Sequence, residues 1–265
     1  MSERTLIAYI NDREVGTLRE ENDLWGFDYA PTWAAAGDGF DLSPSLPRCM
    51  LTHRDGASQR PVQWYFDNLL PEEALRTVFA KQAKVSEDDS FGLLAFYGAE
   101  SAGSLVLRDP ANPVVGENGL RRLTDEDLAE RIRELPRLPL NHASPKHMSL
   151  AGAQHKLAVV YKEGEIFEPF SNEVSTHILK PEHLSGDYPS SVTNEYFVMR
   201  LADRLGLDVP QVWRHYCPEP VYLIERFDRE MIQGVMQRRH MVDTCQLLNK
   251  ARTMNSPTAK RLAAL

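Results

Sequence analysis

The segment from Ala151 to Lys156, AGAQHK, places small residues directly before a lysine. Small side chains let backbone N–H groups approach an anion closely, and successive N–H groups in a turn form a concave anion site. A strand-like run, Leu157 to Tyr161, follows at once. The pattern predicts a loop that cradles a phosphate group in front of a strand. A tight turn without any ligand is the alternative interpretation.

A second lysine and a glutamate extend this pattern. Lys180 ends the predicted strand STHILK, Glu195 lies one turn into the next helix, and a later strand runs into Glu225. Protein kinases use the same order of parts: a loop covers the nucleotide phosphates, a strand lysine engages them, and a helix glutamate holds that lysine. Taken singly, each residue also fits a solvated position, because Lys and Glu are rarely buried without partners.

The elements that must position these residues follow from periodicity and turn signals. In the second half of the chain, alternating or β-branched runs predict strands, and an amphipathic helix carries an apolar stripe that includes Phe197, Leu201 and Leu205 and ends at Gly206. The predicted strands are KLAVVY, EIFEPF, STHILK, PQVWRHY and PVYLIERF.

The first half of the chain is predicted to be a separate α+β unit. The stretch TLIAYINDREVGTL alternates on both sides of a polar break and predicts a β-hairpin. Two helices are expected to meet at Pro71, a third to run from an N-cap at Ser86 to Gly98, and a fourth from an N-cap at Thr124 to Pro136. These signals place the end of the first unit near residue 137.

Composition narrows the class of protein. The chain has 265 residues with 42% hydrophobic residues, which is typical of an ordinary globular protein. A formal charge of -8 disfavours direct binding to a nucleic-acid backbone. The cysteines Cys49, Cys217 and Cys245 are too widely spaced for a zinc site or a disulfide framework. No signal peptide or membrane span is visible, so a cytoplasmic location with no membrane is expected.

Several motifs resemble those of the HipA family of bacterial serine/threonine-kinase toxins, which belong to type II toxin-antitoxin systems. The similarity covers nearly all of residues 1 to about 250 in the family's order, and the pair DNLLP and AGAQxK is its most specific part. The motifs that carry it are YFDNLLPE, SLAGAQHK, STHILK, TNEYFVMRLADRLGLDVP and ERFDR.

The resemblance implies an α+β architecture in which an N-terminal α+β domain precedes the nucleotide-binding lobe of a protein-kinase-like fold. Residues 1–137 would form the HipA N-terminal-like domain and residues 138–240 the nucleotide-binding lobe. Residues 241–265 would begin a C-terminal helical lobe that is otherwise largely missing.

The resemblance also implies roles for single residues. Lys180 would contact the phosphates of ATP with Glu195 as its supporting ion pair, and Ser149 falls where family members autophosphorylate, which would repel ATP and expel the loop. Histidine at 155 replaces a frequent glutamate. The residues expected to line the nucleotide are Ala151, Gly152, Ala153, Gln154, His155 and Lys156 in the loop, with Glu225, Arg226 and Phe227 at the hinge beside the adenine.

The catalytic groups of the family are expected after the hinge, beyond residue 265. They comprise a catalytic aspartate, an asparagine and a metal-binding aspartate, so we assign no catalytic residue and no Mg²⁺ ligand to this chain. The motif HRDG at His53–Gly56 imitates a catalytic loop but precedes the phosphate loop, and we interpret it as a coincidence. The sequence predicts a truncated kinase with little or no turnover and low solubility or self-association.

Two functions of different classes stay open. The first is an ATP- and Mg²⁺-dependent serine/threonine-kinase toxin that pairs with a HipB-like DNA-binding antitoxin, reaches operator DNA mainly through that antitoxin, and has relatives that act on aminoacyl-tRNA synthetases. The second is a catalytically inactive module that binds the antitoxin and regulates it. A fragment of a small-molecule kinase is a third interpretation, and the motifs DNLLP and AGAQHK disfavour it.

Overall fold

A computed structural model describes residues 3–112, 117–148 and 150–251. The first unit is built on a five-stranded antiparallel sheet with the order β4-β3-β2-β1-β5. The predicted hairpin is confirmed, and Asn11 and Asp12 turn it with positive φ angles. The strands are β1 (Arg4–Ile10), β2 (Arg13–Glu21), β3 (Leu24–Tyr29), β4 (Thr52–Arg54) and β5 (Val106–Arg108).

Helices cover one side of this sheet and enclose the first core. The predicted break at Pro71 is confirmed, because one helix ends before it and the next begins after it. The N-cap predicted at Ser86 is wrong: Asp89 caps the helix by accepting a bond from the Gly92 N–H at 3.0 Å. The helices are α1 (Pro31–Ala35), α2 (Pro61–Asp67), α3 (Glu73–Ala83) and α4 (Ser90–Tyr97).

The second unit contains a six-stranded sheet in which every described pairing is antiparallel. Its strands are β6 (Gly119–Leu123), β7 (Leu157–Lys162), β8 (Glu165–Phe170), β9 (His177–Lys180), β10 (Val212–Tyr216) and β11 (Pro220–Glu225). They are ordered β10-β11-β9-β7-β8-β6, so that β9 and β7 occupy the middle of the sheet.

One helix lies on each face of the second sheet. α5 (Asp125–Arg133) packs with the core that contains Leu179 and Leu223, whereas α6 (Ser191–Arg204) packs with Tyr222 on the opposite face. Because side chains alternate along a strand, Lys180 points to the α6 face while its neighbour Leu179 points to the other. Strand pairing puts β6 with the second sheet, and packing of Leu128 in its core puts α5 there, although the sequence analysis assigned these residues to the first unit.

The apolar stripe of α6 faces away from the sheet. Phe197, Leu201 and Leu205 are 63%, 45% and 71% exposed, and Val192 is the buried residue of this helix. Helical periodicity correctly predicted which side chains share a face. It carried no information about what that face contacts.

The last described segment returns to the first unit. The sequence analysis did not predict the hairpin of β12 (Arg229–Ile232) and β13 (Val235–Arg238), whose turn residues Gln233 and Gly234 have positive φ angles. α7 (Thr244–Leu247) follows, and the Gln246 side chain donates to the Tyr65 carbonyl of α2 at 2.9 Å. Within the described ranges, no helix combines the length and apolar character needed to cross a membrane.

Candidate functional site

Lys180 and Glu195 form an ion pair between the second sheet and α6. The Lys180 Nζ atom donates to Glu195 Oε2 at 2.7 Å, and the two side chains are 23% and 31% exposed. Tyr222 lies opposite Lys180 on β11, and its ring centroid is 5.7 Å from the ammonium group. The lysine is therefore held by groups on two neighbouring elements and stays accessible to a ligand.

Residues 151–156 form a loop that leads into β7. Gly152 has a φ of +104°, which L side chains rarely adopt, so glycine serves a backbone requirement here. The Lys156 Nζ atom donates to the Ala151 carbonyl at 2.5 Å and closes the loop on itself. The Gln154 amide donates to the Pro181 carbonyl at 3.3 Å, which ties the loop to the residue that follows Lys180.

The electrostatic environment of Lys156 is unusual for a lysine. Burial and, to a smaller extent, the nearby positive charge of Lys180 lower its pKa to about 8, while Glu72 and Glu195 act in the opposite direction. Two lysines that reach the same space repel each other, and an anion between them would relieve that repulsion. This arrangement suits a phosphate group.

His155 is a buried neighbour of the loop. It is 9% exposed, and burial together with the smaller effect of His183 lowers its pKa to about 4. Its ring is therefore neutral near pH 7 and adds no positive charge to the loop. The sequence predicted His155 as a loop residue but could not predict its protonation state.

Two concave regions flank Gln154. A cleft of about 440 Å³ includes Gln154, Tyr188, Asn194 and Glu195, and so opens directly beside the ion pair. A second cavity of about 300 Å³ lies between α3 and the loop, with Leu75 and His155 among its lining residues. The first of these lies beside Glu195, the partner of Lys180, and is bordered by Gln154 of the loop.

The hinge residues 225–227 have three different environments. Glu225 is exposed at the end of β11, and Phe227 is 66% exposed. Arg226 is 3% exposed, and its guanidinium group binds both oxygens of Asp228 at 2.9 and 2.7 Å. Its side chain is thus committed to the protein interior, so that only backbone groups of Arg226 could contact a ligand at the hinge.

Register relates the hinge to the ion pair. Tyr222 pairs with Lys180, and Glu225 lies three residues further along the same strand, a separation of roughly 10 Å at the usual rise per residue. The hinge and Lys180 therefore lie about as far apart as the base and phosphates of one nucleotide.

The first unit touches the loop on both sides, which the sequence analysis missed. Gly98 forms an antiparallel bridge with Met148, and Pro71 forms a parallel bridge with Gly152. The Glu72 N–H also donates to the Gly152 carbonyl at 3.3 Å. Pro71 and Glu72 belong to the motif DNLLPE, which the sequence analysis singled out. Nothing in the sequence indicated which residues this motif contacts.

Two features expected of a kinase, the autophosphorylated serine and the Mg²⁺ ligands, are not seen among the described residues. The predicted autophosphorylation residue Ser149 lies outside them. Among the residues that are described, no group of three or more His, Cys, Asp or Glu side chains is arranged to hold a metal ion. Lys180, Lys156 and the loop fit a nucleotide phosphate, but these residues offer no Mg²⁺ site, and we derive no step through Mg²⁺.

Comparison with known proteins gives concordant matches in both halves of the chain. Residues 6–108 match the model for the HipA N-terminal domain, and residues 148–265 match the model for the HipA-like C-terminal domain. The Y4mE protein of Sinorhizobium fredii is 36% identical over 258 residues, which cover 94% of this chain and 60% of that protein.

Two further comparisons involve Shewanella oneidensis. Its serine/threonine-protein kinase toxin HipA is 32% identical over 251 residues, which cover 92% of this chain and 55% of that protein. A solved complex of HipA, HipB and operator DNA from the same organism contains a chain that matches with a TM-score of 0.74 and 30% identity, over 94% of this chain and 57% of that chain.

The chain thus spans somewhat more than half the length of the relatives it matches. The matched regions include the loop, the Lys180–Glu195 pair and the hinge, and the two domain models follow each other in the same order as the two units. Sequence, domain order and fold agree: the chain belongs to the HipA family.

Proposed function

We propose that this chain is the nucleotide-binding part of a HipA-like serine/threonine-kinase toxin and that it binds ATP. The observation that carries the proposal is the 2.7 Å contact between Lys180 and Glu195 beside the 151–156 loop. In this assignment Lys180 and Lys156 contact the phosphates, backbone groups of the loop cradle them, and residues 225–227 border the adenine.

Phosphoryl transfer requires more than these residues supply. A general base contributes about 10² to 10⁴-fold to a reaction rate, and metal ions neutralise the charge on the transferred group. We therefore expect little or no kinase turnover from these 265 residues alone, and we assign them no catalytic residue. Modification of Ser149 and action on an aminoacyl-tRNA synthetase would belong to the complete kinase.

Binding of fluorescently labelled ATP to the purified chain tests the proposal. Lys180→Met should weaken binding at least about tenfold, because a buried or half-buried charge-assisted contact to phosphate is lost. The same variant should change the free energy of unfolding by less than about 1 kcal/mol, the usual range for partly exposed ion pairs.

Lys162→Met is the matched control. Lys162 is also a strand lysine paired with a glutamate, but its side chain is 68% exposed and it lies at the far end of β7. Its substitution should leave ATP binding unchanged. Wild-type protein that does not bind ATP, or equal binding by the Lys180→Met and wild-type proteins, would refute the assignment.

A second function is favoured by one observation. The solved Shewanella oneidensis relative is in a complex with HipB and operator DNA, so this chain could act in the cytoplasm as a module that binds a HipB-like antitoxin without catalysis. The net charge of -8 favours contact with DNA through such a partner rather than directly. Capture of the purified antitoxin by the Lys180→Met protein, which should bind ATP at least about tenfold more weakly, would support this function.

A further inference from the structure

The segment that follows α4 carries a carboxylate with no solvent exposure. Glu100 is 0% exposed and contacts the cationic side chains of four residues. These contacts are Lys146 Nζ at 2.6 Å, Arg229 Nη2 at 2.6 Å, Arg238 Nη2 at 3.2 Å and Arg226 Nη1 at 3.4 Å. A carboxylate offers about four lone-pair sites, so the acceptor capacity of Glu100 is filled.

Glu100 is ionised despite its burial. Burial alone would raise its pKa, but Lys146 and the three arginines hold the pKa well below its ordinary value. A second carboxylate, Asp228, shares Arg226 and Arg229 and accepts a bond from the Gly103 N–H at 2.8 Å. Residues of the first unit therefore contribute both a charge and a backbone donor to this cluster.

The partners of Glu100 come from each segment that builds the proposed nucleotide site. Lys146 lies just before Met148, where the chain enters the phosphate loop, and Ser175, which donates to Glu100 at 2.8 Å, precedes the strand that ends at Lys180. Arg226 is a hinge residue, and Arg229 follows it. One side chain of the first unit thus joins the loop, the lysine strand and the hinge.

Stability alone does not explain this arrangement. Buried ion pairs can often be replaced by well-packed apolar residues at little or no loss of stability, so a cluster with four cations is not needed simply to join two units. It does fix its members in direction and distance, because each contact is a charge-assisted hydrogen bond. Such fixed geometry is what a binding site needs from the residues behind it.

We propose that Glu100 is a positioning residue for the nucleotide, which holds the phosphate loop, the Lys180 strand and the hinge in register from within the first unit. The proposal rests on the nucleotide-binding function proposed above and deepens it. The first unit would then be a structural part of the nucleotide site rather than an independent domain beside it.

Glu168 provides a matched control within the same chain. It is also 0% exposed, and it binds Arg131 at 2.7 Å, Arg121 at 2.6 Å and the Ser144 hydroxyl. It lies on β8, next to the edge strand β6, and has no described contact with the loop, the Lys180 strand or the hinge. Glu168→Gln therefore removes a comparable buried charge away from the site.

The test compares Glu100→Gln with Glu168→Gln in the full chain, at a temperature where circular dichroism shows both to be folded. For Glu100→Gln, the dissociation constant for labelled ATP should rise at least about tenfold, as is typical when a group that orients ligand-binding residues is lost. For Glu168→Gln it should not change. Equal dissociation constants for the two variants would overturn the proposal.

Hydrogen exchange without nucleotide separates this proposal from the nucleotide-binding function. Amides in residues 150–156 and 225–229 should exchange faster in Glu100→Gln than in Glu168→Gln. If wild-type protein does not bind ATP but this difference appears, the positioning role stands and the ATP assignment fails. If exchange is the same in both variants, the positioning role fails.

Ser175→Ala keeps the test decisive if Glu100→Gln does not fold. This substitution removes one hydroxyl that donates to Glu100 at 2.8 Å and accepts from Arg226 at 3.1 Å, and it leaves every charge in place. We expect the dissociation constant to rise about threefold, the effect of one hydrogen bond. An unchanged value would count against positioning by this cluster.

Discussion

Lys156 and Lys180 bring two ammonium groups to the same side of the second sheet. They are held differently: Lys180 by the Glu195 carboxylate at 2.7 Å, and Lys156 by a backbone carbonyl of its own loop. Burial and the neighbouring positive charge of Lys180 lower the pKa of Lys156, and a neutral carbonyl does little to oppose this.

Binding of ATP should weaken as the pH rises through the pKa of Lys156. Burial lowers that pKa to about 8, so the side chain is positively charged below this value and neutral above it. Phosphate favours the charged form, so the dissociation constant should be flat below pH 7 and rise by up to about tenfold per pH unit above pH 8. Measuring the dissociation constant for labelled ATP at a series of pH values from 6 to 9.5 tests this pH dependence.

Lys156→Met supplies the control for this pH dependence. It should bind ATP more weakly at pH 7 and show no rise between pH 8 and 9.5. The variant should be at least as stable as wild type at pH 7, since the lowered pKa means that the charged lysine disfavours the folded state below pH 8. A wild-type profile in the variant would show that another group titrates.

The sequence predicted candidate residues for the site, whose role in nucleotide binding stays a prediction, but it did not predict their surroundings. The order of parts shared with protein kinases predicted that Glu195 holds Lys180, and the two side chains are in contact at 2.7 Å. The inward direction of the Arg226 side chain was not predicted, because its partner Asp228 and the Glu100 cluster depend on how the two units pack. Long-range packing has no local signature in one sequence.

At the scale of elements, the loop of residues 151–156 depends on the backbone of the first unit. Pro71 and Gly98, which lie at the ends of helical segments, bridge Gly152 and Met148 respectively. A side chain at Gly152 would be strained at φ +104°, and its Cβ atom would lie 3.0 Å from Lys156 Nζ. This glycine therefore affects both the loop backbone and the position of Lys156, which we propose contacts phosphate.

Gly152→Ala should reduce both stability and ATP binding. Forcing an L residue into this conformation should lower the free energy of unfolding by about 1 to 3 kcal/mol. Displacement of the Lys156 side chain should also weaken ATP binding several-fold. Thermal unfolding and labelled-ATP binding measure the two effects.

Gly164→Ala is the control for this substitution. Gly164 has a φ of +85° in the β7–β8 turn, and an added Cβ would meet nothing within 4 Å. It should lose about 1 kcal/mol of stability and bind ATP normally. Loss of binding in both variants would indicate a general effect of unfolding rather than one at the loop.

Elements with strong local signals were predicted well, and those defined by tertiary contacts were not. The hairpin of β7 and β8 was predicted from its turn, whereas the similar turn at Gln233 and Gly234 was overlooked. The HRDG motif is structural, since Asp55 accepts bonds from the Val62 and Gln63 N–H groups, both at 2.9 Å, at the start of α2. Its position before the phosphate loop had already argued against a catalytic role.

At the scale of the whole molecule, the two units are less separate than the sequence suggested. Strand β6 and helix α5 precede the predicted boundary at residue 137 but complete the second sheet and its core. The segment after β13 returns to α2, and Glu100 binds four cations from the second half of the chain. Strand order in a sheet is a global property, so a reading of local patterns could not place β6.

The outward face of α6 is apolar and exposed, and it predicts self-association of the chain in solution. Phe197, Val198, Leu201 and Leu205 form an apolar stripe on the side of the helix away from the sheet, and each is at least 45% exposed. Contiguous apolar surface of this kind promotes association between copies. We expect the purified chain to self-associate as its concentration rises.

The double variant Phe197→Gln, Leu205→Gln should shift this chain toward the monomer without unfolding it. Both side chains are largely exposed, so little packing is lost, and glutamine is a good helix former. Sedimentation velocity over a range of concentrations measures the shift.

The control is the double variant Met231→Gln, Val235→Gln on the β12–β13 hairpin. Its side chains are 60% and 62% exposed, similar to the 63% of Phe197. If association depends on α6 in particular, the hairpin variant should associate like wild type; a wild-type chain that stays monomeric at every concentration would disprove the expectation.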